Sequence, residues 1–182
     1  EPAKVEITLT LALGLTLLTP YYRGFVRSLN LCGSERVLDF GSGSGVCSRH
    51  IASHLQRNGG HLDCIDISSG WQRVIRRILR RYNNISYHCG RITTLNLPAS
   101  IYDVVVIHFV LHDIPNAERA DIVLSLAQAL KPSGRLILRE PQYEGLSLEE
   151  LNQLTMTAGL LPITTNAHKT IVGAVYDACY QY

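Results

Sequence analysis

"VLDFGSGSG", residues 37–45, sets an acid and three alternating glycines at the end of an apolar run. An apolar run that breaks into glycines reads as a strand entering a tight turn, where the main chain can approach a ligand closely. Two ligand classes compete for such a loop. A dinucleotide fold asks for GxGxxG, in which the third glycine permits close helix–strand packing. The glycines fall at Gly41, Gly43 and Gly45, and Val46 follows, so that spacing fails. Asp39 also sits inside the strand end, where it would repel a pyrophosphate. It suits a ligand carrying positive charge, such as one that bears an amino-acid group.

Outward from the comb, strand and helix patterns alternate. Strands are expected at Arg36–Phe40, Leu62–Asp66, Ile85–Cys89, Asp103–His108 and Arg135–Arg139, with helices over Val46–Gln56, Trp71–Tyr82 and Ala117–Leu130. "DVVVIHF" is nearly unbroken apolar sequence, as suits a parallel strand covered on both faces. "LKPSGR" is expected to close a helix with Pro132 and Gly134, and "SLEE" from Ser147 to open one as a capping box with Glu150. "AGLLPITT" and "TIVGAVYDACY" read as two last strands, antiparallel to each other. The pattern predicts an α/β fold: a doubly wound, Rossmann-like sandwich with a seven-stranded, mostly parallel sheet and an antiparallel last strand. Ligands of such sheets bind at the carboxyl ends of the strands.

The chain has 182 residues, 46% of them hydrophobic and 18% charged, with a net charge of +2. That is the composition of a soluble globule and does not by itself advertise nucleic acid or a membrane. Five cysteines (Cys32, Cys47, Cys64, Cys89, Cys179) are odd in number and never spaced as CxxC. They read as free, mostly buried thiols in a reducing cytoplasm, with no disulfide framework or zinc site. The run from Ile7 to Leu18 is too short to span a bilayer and lacks the basic start and cleavage site of a secretory signal. A single domain over 1–182 is expected, with a helical cap (1–34), a ligand-binding core (35–141) and a C-terminal helix and strand pair (142–182).

The comb and its neighbours resemble the class I S-adenosylmethionine-dependent methyltransferases, in their small single-domain form. "VLDFGSGSG" is similar to that family's first motif, an acid followed by GxGxG. "HLDCIDIS" resembles its second strand, "YDVVVIHFVLHDI" its fourth strand and loop, and "LKPSGRLILREP" its fifth strand. "SLEELNQLTMTAGL" resembles the helix after it. The ordered set covers roughly Arg36 to Pro141. The resemblance implies S-adenosylmethionine as cofactor, with S-adenosylhomocysteine as its product. Gly41, Ser42, Gly43 and Gly45 would line the methionine part, with Asp39 acting through charge. Asp66 would accept from the ribose hydroxyls, and Ile67 and Trp71 would cover an adenine face; Trp71 reads equally as a core anchor. The family usually places an acid after its third strand to accept from the adenine amine. Arg91 stands there and has no acceptor, so adenine is expected to rest on the backbone at Arg91 and the side chain of Ile92.

Methyl transfer needs alignment and a dry site, and a general base only where the acceptor must lose a proton. Candidate catalytic residues are His108, His112 and Tyr143, with Asp113 and Glu140 as further polar contacts. His108 would also line the methyl-transfer channel, whereas His112 and Asp113 read first as braces of their loop. Tyr21, Tyr22 and Arg23 would either close over the methionine carboxylate or decorate an N-terminal helix. His50 and His54 are four apart on a helix, a metal-ligand spacing with no third ligand, and are expected to be a solvated face with no metal bound. "WQRVIRRILRRY" puts its apolar residues on one helical face and its arginines outside. The loop "HFVLHD" lacks the motif of base-amine methylation, and no Pro-Cys nucleophile is present. A small-molecule acceptor leads. An RNA or protein methyltransferase using the arginine helix, or a non-catalytic cofactor-binding module, is the alternative.

Overall fold

The computed structural model describes residues 1–143 and 145–182. Strand β1 (Arg36–Phe40) runs straight into the comb, and helix α3 (Val46–Leu55) starts one residue after its last glycine. The chain divides into two compact units.

In the first unit, Glu1–Arg91, helices α1 (Lys4–Leu15) and α2 (Thr19–Ser28) precede β1 and α3. There follow β2 (His61–Asp66), α4 (Ser69–Ile78) and β3 (Ile85–Cys89). The three strands are parallel in the order β3-β2-β1. Their apolar side chains Val37, Leu38, Leu62 and Ile65 are buried with Ile51 and Leu55 of α3 and Ile75 of α4. Each such side chain contributes roughly 1.5–3 kcal/mol. The arginines of α4 stay outside, as its pattern predicts. Helix α4 ends at Ile78 rather than Tyr82, because Leu79 leaves helical geometry at φ −96°, ψ 8°.

In the second unit, Ile92–Tyr182, β4 (Tyr102–His108) leads through a 3-10 turn at Leu111–Asp113 into α5 (Asn116–Ala129). Next come β5 (Leu130–Pro141), α6 (Leu148–Thr157), β6 (Leu161–Thr170) and β7 (Gly173–Gln181). Strand β5 is parallel to β4, and β7 is antiparallel to both β5 and β6. All strands belong to one seven-stranded sheet with the order β3-β2-β1-β4-β5-β7-β6.

Three expectations need correcting. "LKPSGR" is not a free turn: Leu130 already pairs with Tyr102, and the register then jumps to Val104–Arg135. Pro132 and Gly134 therefore lie in a bulge of β5, a place where a proline's missing N–H is tolerated. Gly134 is tight there, since a Cβ would come within 2.9 Å of the Tyr102 carbonyl. The capping box is half made. Ser147 accepts from the Glu150 N–H (3.0 Å), but the Glu150 carboxylate turns to Arg119 (2.8 Å). The cysteines are all free, yet only Cys47 and Cys64 are buried; Cys179 is half-buried, and Cys32 and Cys89 are exposed. Among the described residues no single helix is long and apolar enough to cross a membrane.

Candidate active site

The comb is tied to the end of β2. The N–H groups of Gly41 and Ser42 both donate to the Ile65 carbonyl (2.9 Å each), and the Ser42 hydroxyl donates to it as well (3.3 Å). Gly41, Gly43 and Gly45 all have positive φ (72°, 49° and 79°), a region that side chains enter at a cost. The three differ in what surrounds them. A Cβ on Gly45 would drive into Ile75 Cγ1, so this glycine serves packing between α3 and α4. A Cβ on Gly43 would meet nothing nearer than the Gly41 carbonyl at 3.9 Å, so its face is open.

Asp66 closes the arrangement. One carboxylate oxygen accepts from the Gly43 N–H (2.8 Å) and the other from the Ser68 N–H (2.8 Å). A carboxylate has about four lone-pair sites, so Asp66 keeps acceptor capacity beside the open comb. The next residue, Ile67, is 63% exposed, apolar surface that folding leaves uncovered. Trp71 is half-buried in the first turn of α4, where its N–H donates to the Ser68 hydroxyl (3.1 Å).

Asp39 is only 2% exposed, and the Ser48 hydroxyl donates to it at 2.5 Å. Burial pushes its carboxyl up to about 6, with the nearby Asp66 charge adding to the effect. Arg91 is exposed just past Gly90 at the end of β3. Ile92, which follows it, is 4% exposed.

The second unit holds a separate polar cluster around the loop after β4. Glu140, fully buried on β5, accepts from the N–H groups of Val110 (2.9 Å), Leu111 (2.8 Å) and His112 (3.4 Å). Its carboxylate also bonds His112 Nδ1 (2.6 Å). It is thus a staple of the loop rather than an open base. An ionised carboxylate only accepts, which places a proton on His112 Nδ1 and leaves Nε2 as the ring's basic atom. The exposed Asp113 carboxylate lies 3.5 Å from Nε2. Arg119 fixes the same loop through the carbonyls of Ile114 (2.9 Å), Gly145 (2.8 Å) and His112 (3.2 Å).

His108, at the end of β4, pairs in register with Arg139 and packs on Phe109 (ring centroids 4.6 Å apart). Burial and the Arg139 charge push its imidazole down to about 3, so it is neutral at pH 7. Tyr143 is 84% exposed.

A family described as "Methyltransferase domain" matches residues 37–134, more than half of the chain. The chain belongs to this methyltransferase family. It is 31% identical over 120 residues to a demethylmenaquinone methyltransferase of Tropheryma whipplei, which covers 65% of this chain and 46% of that protein. It is 33% identical over 119 residues to a ubiquinone/menaquinone biosynthesis C-methyltransferase of Erwinia tasmaniensis (62% and 46% covered). The chain spans about half the length of these curated relatives. A solved S-adenosylmethionine-dependent methyltransferase of Aquifex aeolicus shares the fold over the full length of both chains, with a TM-score of 0.80 and 15% identity.

Two contacts around the glycine loop escaped sequence reasoning. Ser48 of α3 holds Asp39, nine positions away. The Glu1 carboxylate accepts from Ser68 (3.1 Å), Ser69 (3.2 and 3.0 Å) and Gly70 (2.7 Å), bracing the loop behind Asp66. It fills orphan N–H groups at the start of α4, and no local motif announces it. His50 and His54 are half-buried rather than solvated, and His54 Nε2 bonds the Leu31 carbonyl (2.9 Å).

Proposed function

We propose that residues 1–182 act as one S-adenosylmethionine-dependent methyltransferase domain working on a small-molecule acceptor. The observation that carries this reading is the Gly43–Asp66 hydrogen bond, which couples an open glycine loop to a carboxylate with acceptor sites to spare. The space over Gly43, which a Cβ would enter, and the uncovered Ile67 fit a ligand with an amino-acid end and an adenosine end. The cofactor supplies an electrophilic methyl group on a sulfonium.

The chain's own groups do the rest. Gly41, Ser42 and Gly43 give passage to the methionine part, and the Asp39 field favours its positive charge. Asp66 accepts from the vicinal hydroxyls. Ile67 and Trp71 cover the adenine, with the backbone at Arg91 serving where relatives use an acid. His108 stays neutral and polar along the transfer path. Where the acceptor must lose a proton, His112 Nε2 receives it while Glu140 holds the ring. Two relatives carry names from quinone biosynthesis, which supports a small-molecule acceptor and makes a quinol ring the first to test. Free thiols suit a reducing compartment, and we place the protein in the cytoplasm.

The test is incubation with methyl-labelled S-adenosylmethionine and three separate acceptor pools: quinols and other small metabolites, RNA, and protein. Label in an organic-soluble small molecule is expected. Label confined to RNA or protein would refute the acceptor class, and no turnover despite cofactor binding would favour a non-catalytic module.

A further inference from the structure

The outer surface of the first unit carries a second concavity that methyl transfer does not use. Helix α2 contributes Arg23 and Arg27, one helical turn apart. The outward face of α3 contributes Arg49 and His50, because Ile51, Ala52 and Leu55 turn its other face into the core, and Arg57 follows just past its end. Arg81 comes from just beyond α4. These six surround a cavity of about 410 Å³ that shares no residue with the glycine loop.

Among the described residues no acidic side chain lines the cavity, although the chain has 15 Asp and Glu. The ion pairs among the described residues use none of these five arginines. Like charges gathered without counter-charge repel, which an isolated protein has no reason to retain. The repulsion is felt locally. Desolvation, then Arg49 and Arg23, push the His50 imidazole down to about 4. The Arg49 guanidinium is lowered by burial and further by Arg81 and Arg23. Arg81 is preset, donating to the Tyr82 hydroxyl (2.7 Å) and lying over the Tyr82 ring (4.8 Å).

We propose that this cavity is a binding site for a ligand carrying at least two phosphoryl groups. Guanidinium forks match phosphate oxygens bidentately, and arginines converging from α2, α3 and the segments just past α3 and α4 serve more than one phosphoryl group. The volume falls in the range of about 300–1,000 Å³ typical of small-ligand sites. A single-stranded RNA groove would want aromatic stacking platforms, whereas Tyr82, the sole aromatic in the lining, is already engaged by Arg81. The phosphoryl groups can come from a soluble diphosphate or from a lipid headgroup.

The test titrates inorganic pyrophosphate into the full chain by calorimetry, beside Arg49→Gln, Arg27→Gln and, as control, the exposed Arg73→Gln on α4. Circular dichroism checks the fold of each. Saturable binding is expected, weakened at least about tenfold by Arg49→Gln and Arg27→Gln and unchanged by Arg73→Gln. Pyrophosphate should also raise the His50 titration, read by NMR, towards its ordinary value. Parallel arms use vesicles containing cardiolipin, whose headgroup carries two phosphates, and a single-stranded oligoribonucleotide. Vesicle binding displaced by pyrophosphate supports the site with a lipid source. No pyrophosphate binding, equal binding by Arg49→Gln, vesicle binding that pyrophosphate does not displace, or binding of RNA alone would each overturn it.

Discussion

Replacing glycines of the comb one at a time separates packing from ligand contact. Gly45→Ala forces a non-glycine residue to φ 79° and drives its Cβ into Ile75 Cγ1, with Ile75 Cδ1 at 3.1 Å and Cβ at 3.3 Å. The left-handed backbone costs about 1–2 kcal/mol, and overpacking costs about 1–3 kcal/mol. Together they predict a loss of about 2–5 kcal/mol. Gly43→Ala meets only the Gly41 carbonyl at 3.9 Å, so the backbone term alone remains, about 1 kcal/mol. Urea unfolding should therefore show a much lower midpoint for Gly45→Ala, with an unchanged slope. Calorimetry with S-adenosylhomocysteine should show the larger affinity loss for Gly43→Ala, whose methyl group enters the open face. Because Ile75 is the obstacle, Gly45→Ala with Ile75→Ala should cost less than the sum of the two single changes. Equal destabilisation by Gly43→Ala and Gly45→Ala, or strict additivity with Ile75→Ala, would refute the division of roles.

Asp39 predicts an unusual pH dependence. Its folded pKa, about 6, lies above the ordinary 3.8, so between these values the folded state binds more protons than the unfolded one. This carboxyl therefore costs stability as pH rises from about 4 to 6, on the order of 3 kcal/mol in all. Asp39→Asn should flatten that part of a stability-versus-pH curve, and an unchanged curve would contradict the assignment. Glu140→Gln keeps one accepting oxygen but turns the other into a donor facing its N–H partners, and should lower stability by about 2–4 kcal/mol. Limited proteolysis should then cut first in the loop after β4, and an intact loop would count against the staple. Asp177→Asn strips the buried Arg139 of its two-bonded partner (2.6 and 2.5 Å). A loss of about 3–5 kcal/mol is expected by thermal unfolding, and a loss below about 1 kcal/mol would mean that Arg139 finds another partner.

The fold was legible because its signals are local. β1 and β3 lie at the expected residues, since short apolar runs bounded by glycine and charge leave little choice of register. The "LKPSGR" stretch misled because a bulge and a turn use the same residues, and only the Tyr102–Leu130 pairing separates them. Within the site, the comb and Asp66 were readable from spacing, and their hydrogen bond follows from the parallel pairing of β1 with β2. Glu140 was visible as an acid, but its role depends on N–H groups about thirty positions upstream. The basic cavity was invisible for the same reason. Its lining draws on α2, α3 and the segments just past α3 and α4, and only Arg81 and Tyr82 come from the arginine-rich stretch.

The claim underneath all of this is that the glycine loop and Asp66 form one S-adenosylmethionine cradle. Calorimetric titration of the full chain with S-adenosylhomocysteine and with NAD, repeated on Asp66→Ala, tests it most directly. The account predicts saturable binding of S-adenosylhomocysteine alone, lost in Asp66→Ala while the fold is kept. Binding of NAD without response to S-adenosylhomocysteine, or undiminished affinity in Asp66→Ala, would contradict it.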